Sequence, residues 1–266
     1  MDAEQRSSNS ERVTRNPIQK NGIRDVVFLH GWGLSAGVWD DLARRLGPRL
    51  RVHVPDLPGY GAAPACVPYT LETLAAAMAR AAPRRCHVIG WSLGGQVALT
   101  WAKSTPRQVV RLALIATTPC FTQRADWAHA VTAEALAGFS RGLTAARAGT
   151  LRRFMLLQAQ GDERAKQVAR QLRAARAARN LPALEALAGG LRILLETDLR
   201  GALGWIRQPV RVMHGDRDSL VPLEAGEYLS RRLFNARLLV LRGAAHAPFL
   251  SKPDETSAAL REFFDE

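Results

Sequence analysis

Apolar positions along the chain follow two alternating spacings. Short apolar runs typical of buried strands alternate with stretches whose apolar residues recur every three to four positions, which is typical of helices facing a core. The predicted strands are Val26–Leu29, Arg51–Val54, Cys86–Ile89, Val109–Ala116, Val210–Met213 and Leu238–Leu241. The predicted helices are Ala36–Leu46, Thr70–Arg80, Leu93–Lys103, Leu223–Phe234 and a closing helix after Pro253. This alternation predicts an α/β fold with a mostly parallel central sheet and helices on both faces.

Two regions depart from this alternation. Residues 1–22 are polar and lack periodicity, which predicts a loose N-terminal tail. Residues 119–199 contain helical patterns rich in Ala, Leu and Arg and no convincing strand pattern. A helical block between two strands of a parallel sheet is typical of an insertion. We therefore predict a helical lid over residues 119–199, inserted into a core formed by residues 23–118 and 200–266.

Composition narrows the class of protein. The 266 residues, 47% of them hydrophobic, suffice for one large α/β domain with an insertion. No apolar run approaches the roughly 18 residues that span a bilayer, and the first ten residues lack the apolar segment of a secretory signal. Cys66, Cys86 and Cys120 are far apart and lack metal-ligand spacing, so we interpret them as reduced thiols. We expect a cytoplasmic monomer without membrane association, metal or cofactor.

The net charge of +13 is concentrated in one stretch. The stretch from Arg141 to Arg179 contains ten basic residues and only two acidic ones, Asp162 and Glu163. It therefore carries a local excess of eight positive charges. Two interpretations stay open: this face binds an acidic partner, or it is a solvated arginine-rich surface. The sequence contains no recognisable nucleic-acid-binding motif, so we predict no nucleic-acid partner.

A candidate nucleophile lies between the third predicted strand and the following helix. The residues Gly90-Trp91-Ser92-Leu93-Gly94 fit the pattern G-x-S-x-G. A sharp strand–turn–helix projects the serine hydroxyl, and the flanking glycines avoid clashes that larger side chains would cause. The N-terminus of the following helix also favours the negative charge that develops during acyl transfer. Ser92 is therefore predicted to be the nucleophile of a hydrolase.

A serine nucleophile needs a base and an acid, which in this fold follow it in the order Ser, Asp, His. His246 lies after the last predicted strand and is the predicted base; His214 is interpreted as structural. Two aspartates compete for the acid in the loop after Met213. We choose Asp218 because it follows Gly215 by three residues, and expect Asp216 to pair with Arg217 or to cap the turn.

The oxyanion of a tetrahedral intermediate needs two backbone N–H donors. Leu93, directly after the nucleophile, is predicted to supply one of them. The loop His30-Gly31-Trp32-Gly33, after the first predicted strand, is predicted to supply the other through Trp32. His30 is expected to brace this loop.

Several segments resemble the pimeloyl-acyl-carrier-protein methyl ester esterase family of biotin synthesis. In the predicted core they are His30–Leu34, Asp56–Gly61, Gly90–Gly95 and Ala245–Phe249, and the first three of these occur widely among α/β-hydrolases. In the predicted lid they are Arg153-Phe154, Leu157-Gln158, Gly189–Leu194 and Asp198–Arg200. The resemblance runs from about residue 24 to the C-terminus. The departures are the polar N-terminal tail and Gly149, where the family pattern predicts a basic residue.

The resemblance implies an α/β-hydrolase fold and a carboxylesterase whose substrate is the methyl ester of pimeloyl-acyl-carrier protein. The methyl group masks a carboxylate that would be costly to bury in an apolar pocket. Phe154 and Gln158 would contact the acyl chain, although ordinary packing explains Phe154 equally well. Arg153 would lie near the carrier protein or its prosthetic arm.

One predicted helix of the lid carries a cationic face. At 100° per residue, Lys166, Arg170 and Arg173 fall on one side, with Val168 and Leu172 roughly opposite. Such a face would steer an acidic carrier protein towards the lid.

Other functions remain open at this point. An esterase or thioesterase of the same fold that acts on free small esters would not depend on a carrier protein. A basic nucleic-acid-binding protein or a receptor on a hydrolase fold would need no catalytic serine, so reaction with a fluorophosphonate probe separates these classes.

Overall fold

A six-stranded parallel sheet forms the centre of the molecule. The computed structural model describes residues 24–47, 50–178 and 180–265. The strands are β1 (Asp25–Leu29), β2 (Arg51–His53), β3 (Cys86–Trp91), β4 (Val109–Ile115), β5 (Val210–Gly215) and β6 (Ala236–Leu241). Their order across the sheet is β2-β1-β3-β4-β5-β6, and every neighbouring pair is parallel. The predicted α/β class and parallel sheet are confirmed.

Helices connect the strands and cover the sheet. The α-helices are α1 (Asp40–Leu46), α2 (Leu71–Ala81), α3 (Leu93–Ser104), α4 (Ala133–Ala159), α5 (Ala165–Ala177), α6 (Leu184–Glu196), α7 (Leu223–Arg232), α8 (Pro248–Ser251) and α9 (Pro253–Asp265). Short 3₁₀ helices span Ala36–Trp39 and Arg200–Trp205. No helix in the described part of the chain has both the length and the apolarity to cross a membrane.

The strands divide their side chains between two cores, because successive residues of a strand point to opposite faces. Val27 and Leu29 join the core that includes α2, α3 and α7, whereas Val26 and Phe28 join the core that includes α1 and α9. Both faces of the sheet are therefore buried, as expected for a parallel sheet.

Some predicted boundaries were wrong by a few residues. Strand β5 continues two residues past Met213, because His214 and Gly215 pair with Val240 and Leu241 of β6. Helix α7 ends at Arg232 rather than Phe234, because Leu233 adopts an extended conformation that turns the chain into β6. Residues 1–22, predicted as a polar tail, lie outside the described residues.

The region predicted as a lid contains α4, α5 and α6. Helix α4 is kinked at Ala146, whose φ of −155° and ψ of 70° are not helical. Helix α5 buries Val168 and Leu172, and Thr132 caps the N-terminus of α4 through its side chain. Within the described residues of 119–199, β-structure is limited to isolated bridges such as Cys120 with Asp198.

Candidate active site

Ser92 occupies a strained turn between β3 and α3. Its φ of 55° and ψ of −121° lie in a region that residues with a side chain rarely adopt. The backbone N–H of Ser92 donates to the Ile115 carbonyl at 3.0 Å, and the Thr117 hydroxyl donates to the Ser92 carbonyl at 2.7 Å. Packing of the surrounding chain therefore maintains a conformation that costs about 1–3 kcal/mol locally.

Glycines on both sides of Ser92 permit this turn. A Cβ on Gly90 would lie 2.5 Å from the Gly94 carbonyl oxygen. A Cβ on Gly94 would lie 2.6 Å from the His30 carbonyl oxygen and would also overlap the Leu29 carbonyl. The start of α3 thus packs directly on the end of β1, and only glycine allows that approach.

Replacing Gly94 with alanine is expected to lower the free energy of unfolding by about 1–3 kcal/mol or more, because the backbone of β1 cannot move away from the added methyl group without disrupting the sheet. Urea unfolding measures this change. Gly138→Ala in α4 is the matched control, since the nearest atom to its Cβ would lie 3.9 Å away. Alanine is favoured over glycine in helices by about 1 kcal/mol, so the control should unfold at equal or higher urea concentration. A Gly94→Ala protein as stable as the wild type would contradict the packing argument.

A chain of hydrogen bonds joins Ser92 to His246 and Asp218. His246 Nε2 lies 3.0 Å from Ser92 Oγ, and His246 Nδ1 lies 2.8 Å from Asp218 Oδ2. Because a carboxylate only accepts hydrogen bonds, the imidazole proton belongs on Nδ1, and Nε2 is free to accept from the serine hydroxyl. All three side chains are buried. The structure thus brings together the three residues predicted as nucleophile, base and acid.

The two aspartates after β5 have different roles. Asp218 is buried, and its Oδ1 accepts the backbone N–H groups of Leu220 and Val221, each at 2.9 Å. Asp216 is exposed, and its Oδ1 accepts the N–H of Gly243 at 2.6 Å. Of the two roles expected for Asp216, pairing with Arg217 was wrong, because Arg217 instead contacts Glu163 at 3.4 Å. Asp216 does bond to a turn, but it is the turn after β6 that contains Gly243 and not its own.

His214 lies beneath the acid loop. Its Nε2 is 2.7 Å from the Val221 carbonyl oxygen and 3.6 Å from Asp218 Oδ2. Burial lowers the pKa of His214, which favours the neutral ring despite the nearby carboxylate. A neutral ring that donates from Nε2 to the Val221 carbonyl holds the loop that carries Asp218.

The loop after β1 approaches Ser92 closely. A Cβ on Gly31 would lie 3.3 Å from the Ser92 Cβ, so the backbone of this loop borders the nucleophile. His30 is fully buried; its Nε2 accepts the Leu57 N–H at 3.0 Å, and its Nδ1 lies 2.9 Å from the Gly31 carbonyl oxygen. Burial lowers the pKa of His30, so a neutral ring braces the loop that carries Trp32.

Aromatic residues form an apolar wall between this loop and helices α4 and α6. Trp32 donates from its indole N–H to the Leu187 carbonyl at 2.9 Å and packs edge-on against Phe154, with ring centroids 4.8 Å apart. Phe154 packs in the same way on Phe139 at 5.4 Å. A Cβ on Gly190 would lie 2.7 Å from Trp32, so α6 also packs on this indole.

Gln158 is buried at the end of α4. Its side-chain Nε2 has no hydrogen-bond partner among the described residues. The backbone carbonyl oxygen of Gln158 accepts the backbone N–H of His246 at 3.2 Å, so this turn of α4 borders the predicted base. A buried amide donor without a partner is costly unless a ligand completes it.

The predicted cations lie on the exposed sides of α4 and α5. Arg153, Lys166 and Arg173 line an open groove of about 640 Å³ between α4 and α5, with an apolar floor that includes Leu157 and Ala169. Arg170 is exposed on α5 but does not line this groove. Ser92 does not line it either, so the groove is separate from the nucleophile.

Some contacts of the site were missed by the sequence analysis. Asp162, in the turn between α4 and α5, is buried, and its Oδ2 accepts the N–H of Ala245 at 2.8 Å. The sequence signal that could have pointed to it is that Asp162 is one of only two acidic residues between Arg141 and Arg179. Among the residues described, no group of three or more His, Cys, Asp or Glu side chains could hold a metal ion.

Comparison with known proteins gives a consistent set of relatives. Residues 26–259 match the Alpha/beta hydrolase family. A pimeloyl-[acyl-carrier protein] methyl ester esterase of Aromatoleum aromaticum is 44% identical over 90% of this chain and 97% of its own length. Another, of Nitrosomonas europaea, is 40% identical over 87% of this chain and 92% of its own length. An esterase from Exiguobacterium antarcticum has a similar fold, with a TM-score of 0.83 at 23% identity over 91% of this chain and 92% of its own.

Proposed function

Because the chain belongs to the alpha/beta hydrolase family, we propose that it is a serine carboxylesterase that hydrolyses the methyl ester of pimeloyl-acyl-carrier protein. The observation that carries this proposal is the hydrogen-bonded chain from Ser92 through His246 to Asp218 on a strained turn. We take the identity of the substrate from the names of the relatives, and a role of the enzyme in biotin synthesis follows from that substrate.

The geometry supports an acyl-enzyme mechanism. Ser92 Oγ attacks the ester carbonyl carbon while His246 Nε2 takes the hydroxyl proton. Methanol leaves with that proton, and water then attacks the acyl-enzyme with His246 again acting as the base. Asp218 holds the imidazole tautomer and stabilises the imidazolium without taking the proton itself. Two backbone N–H donors to Asp218 Oδ1 keep the carboxylate oriented.

We assign the oxyanion donors to the backbone N–H groups of Trp32 and Leu93. Leu93 is the first residue of α3, so its N–H has no acceptor inside the helix. The loop that carries Trp32 borders Ser92 through Gly31, and the indole bond to Leu187 fixes its position. Hydrogen-bond donors that are already in place stabilise the developing negative charge without having to reorganise. This electrostatic stabilisation is usually the largest single contribution to the rate enhancement of an enzyme.

The lid residues fit an apolar acyl chain. Phe154 faces Trp32 at the inner side of α4 and would contact the methylene groups of the chain. The unpartnered Gln158 amide would donate to an oxygen of the bound ester. A neutral methyl ester suits such a site better than a free carboxylate, whose desolvation would be uncompensated.

The outer surface of the lid fits an acidic carrier protein. Lys166, Arg170 and Arg173 are exposed, and Arg153 lies with two of them along the groove between α4 and α5. We propose that these cations bind the carrier protein, whose prosthetic arm then delivers the distal ester to Ser92 and keeps the thioester away from it. The reduced thiols and the carrier-linked substrate favour a cytoplasmic enzyme.

Steady-state kinetics test this function against a general esterase or thioesterase. The kcat/KM for methyl pimeloyl-carrier protein should exceed that for free dimethyl pimelate by at least about tenfold, the lower limit of the rate gain that electrostatic steering gives. Ser92→Ala is the control for both substrates. Equal values for the two esters would favour a general small-ester esterase, and release of the free carrier thiol would favour a thioesterase.

A further inference from the structure

We propose that Asp162 is a positioning residue for His246, so that the turn between α4 and α5 forms a fixed part of the catalytic site. The inference rests on the proposed role of His246 as the general base. It assigns a function to a buried lid carboxylate that does not contact the reacting atoms.

The loop that carries His246 is hydrogen-bonded to this turn and to the last turn of α4. Asp162 Oδ2 accepts the N–H of Ala245 at 2.8 Å, and the Gln158 carbonyl accepts the N–H of His246 at 3.2 Å. The Glu163 N–H donates to the Gly243 carbonyl at 2.9 Å. Three residues in the last turn of α4 and in the turn that follows it therefore bond to the backbone between Gly243 and His246.

Asp162 is itself fixed on the other side. Its Oδ1 accepts the N–H of Arg164 at 2.8 Å, two residues along the chain, and the side chain is buried. A carboxylate can accept two hydrogen bonds at once in this arrangement, one from each segment. Asp162 thus joins the start of α5 to the His246 loop, and 83 positions of sequence separate the two bonded residues.

Small displacements of His246 would be costly. The ring must remain within hydrogen-bond distance of both Ser92 Oγ and Asp218 Oδ2, at the present 3.0 and 2.8 Å. A misplacement of about 1 Å in a catalytic group can cost about a hundredfold in rate. Without the Asp162 carboxylate, the N–H of Ala245, one residue before the base, loses its acceptor and the backbone there can move. We therefore expect kcat to fall.

The test compares Asp162→Ala and Asp162→Asn with Glu163→Gln. Glu163 is the matched control because it lies in the same turn, is exposed, and uses its side chain only for Arg217 and Lys252 among the described residues. The kcat and KM values are measured with methyl pimeloyl-carrier protein and with p-nitrophenyl butyrate. The rate at which a fluorophosphonate probe labels Ser92 is measured in parallel.

Asp162→Ala should lower kcat by about 10- to 100-fold on both esters, with KM changed less than about twofold, because both reactions use the same base. The decrease in kcat should be smaller for Asp162→Asn, since the asparagine amide oxygen still accepts one N–H. The low-field proton resonance of the His246–Asp218 hydrogen bond should shift or broaden in Asp162→Ala and stay in place in Glu163→Gln.

Unchanged kcat in a folded Asp162→Ala protein would overturn the proposal, as would an equal loss in Glu163→Gln. If Asp162→Ala fails to fold, Asp162→Ser takes its place, because serine can keep the local bond to the Arg164 N–H but lacks the second oxygen that accepts the Ala245 N–H. Wild-type kcat and probe labelling in that protein would overturn the proposal equally. The p-nitrophenyl ester and the probe report on His246 whatever the natural substrate is. Failure of the carrier-protein assignment would therefore leave this test intact.

Discussion

Ser92→Ala and His246→Ala are each expected to lower kcat by roughly four to six orders of magnitude, because each removes a member of one hydrogen-bonded unit. Asp218→Asn should lower kcat by about 10⁴-fold, since an amide stabilises the wrong imidazole tautomer. The double variant Ser92→Ala/His246→Ala should be hardly worse than either single variant. Initial rates on methyl pimeloyl-carrier protein measure these losses.

Asp216→Asn is the matched control for the acid. Asp216 is exposed and bonds the N–H of Gly243 rather than an imidazole, and asparagine retains an oxygen that can accept this bond. Its loss of kcat should stay below about tenfold, well under the roughly 10⁴-fold loss of a triad member. If Asp216→Asn were the damaging change and Asp218→Asn the mild one, the assignment of the acid would be wrong.

Reversal of the cationic face of α5 is expected to weaken carrier docking without affecting the chemistry. The triple variant Lys166→Glu/Arg170→Glu/Arg173→Glu should raise KM for the carrier-bound ester by about tenfold or more at low salt, the order of electrostatic steering effects. The difference should shrink as the Debye length falls from about 10 Å at 0.1 M salt to about 3 Å at 1 M. The kcat at saturation and the hydrolysis of p-nitrophenyl butyrate should be nearly unchanged.

A second triple reversal separates local docking from total charge. Arg84, Arg85 and Arg107 are exposed at the amino ends of β3 and β4, away from the carboxyl end of β3 where Ser92 lies. Changing these three to glutamate alters the net charge by the same amount as the α5 variant. The control should retain a wild-type KM. Equal KM values for wild type and the α5 variant would show that the face is only solvated.

Much of the fold could be predicted because its signals are local. The alternation of strand and helix patterns predicts the parallel sheet, and the order of β3, β5 and β6 brings their carboxyl ends to one edge. Ser92, Asp218 and His246 each follow one of these strands, so their proximity follows from the topology. The spacing in α5 similarly predicts that Val168 is buried and Lys166 exposed, as observed.

The contacts that the sequence analysis missed join distant segments. The basic surroundings of Asp162 set this carboxylate apart in the sequence, but they do not indicate that it accepts the N–H of Ala245, 83 positions later. Asp216 was given the wrong partner because Arg217 is its neighbour in sequence but turns towards Glu163 in the fold. The kink of α4 at Ala146 also lacks a proline, and the flanking Gly142 and Gly149 do not by themselves fix its position. Tertiary packing determines these features, and local periodicity does not report it.

Mass spectrometry of methyl pimeloyl-carrier protein after incubation with the enzyme tests the central claim most directly. We expect conversion of the methyl ester to the free acid, with the acyl group still attached to the carrier through its thioester. Ser92→Ala should leave the substrate unchanged over the same time. Appearance of the unacylated carrier protein, or a methyl ester that persists with active wild-type enzyme, would contradict the proposed function.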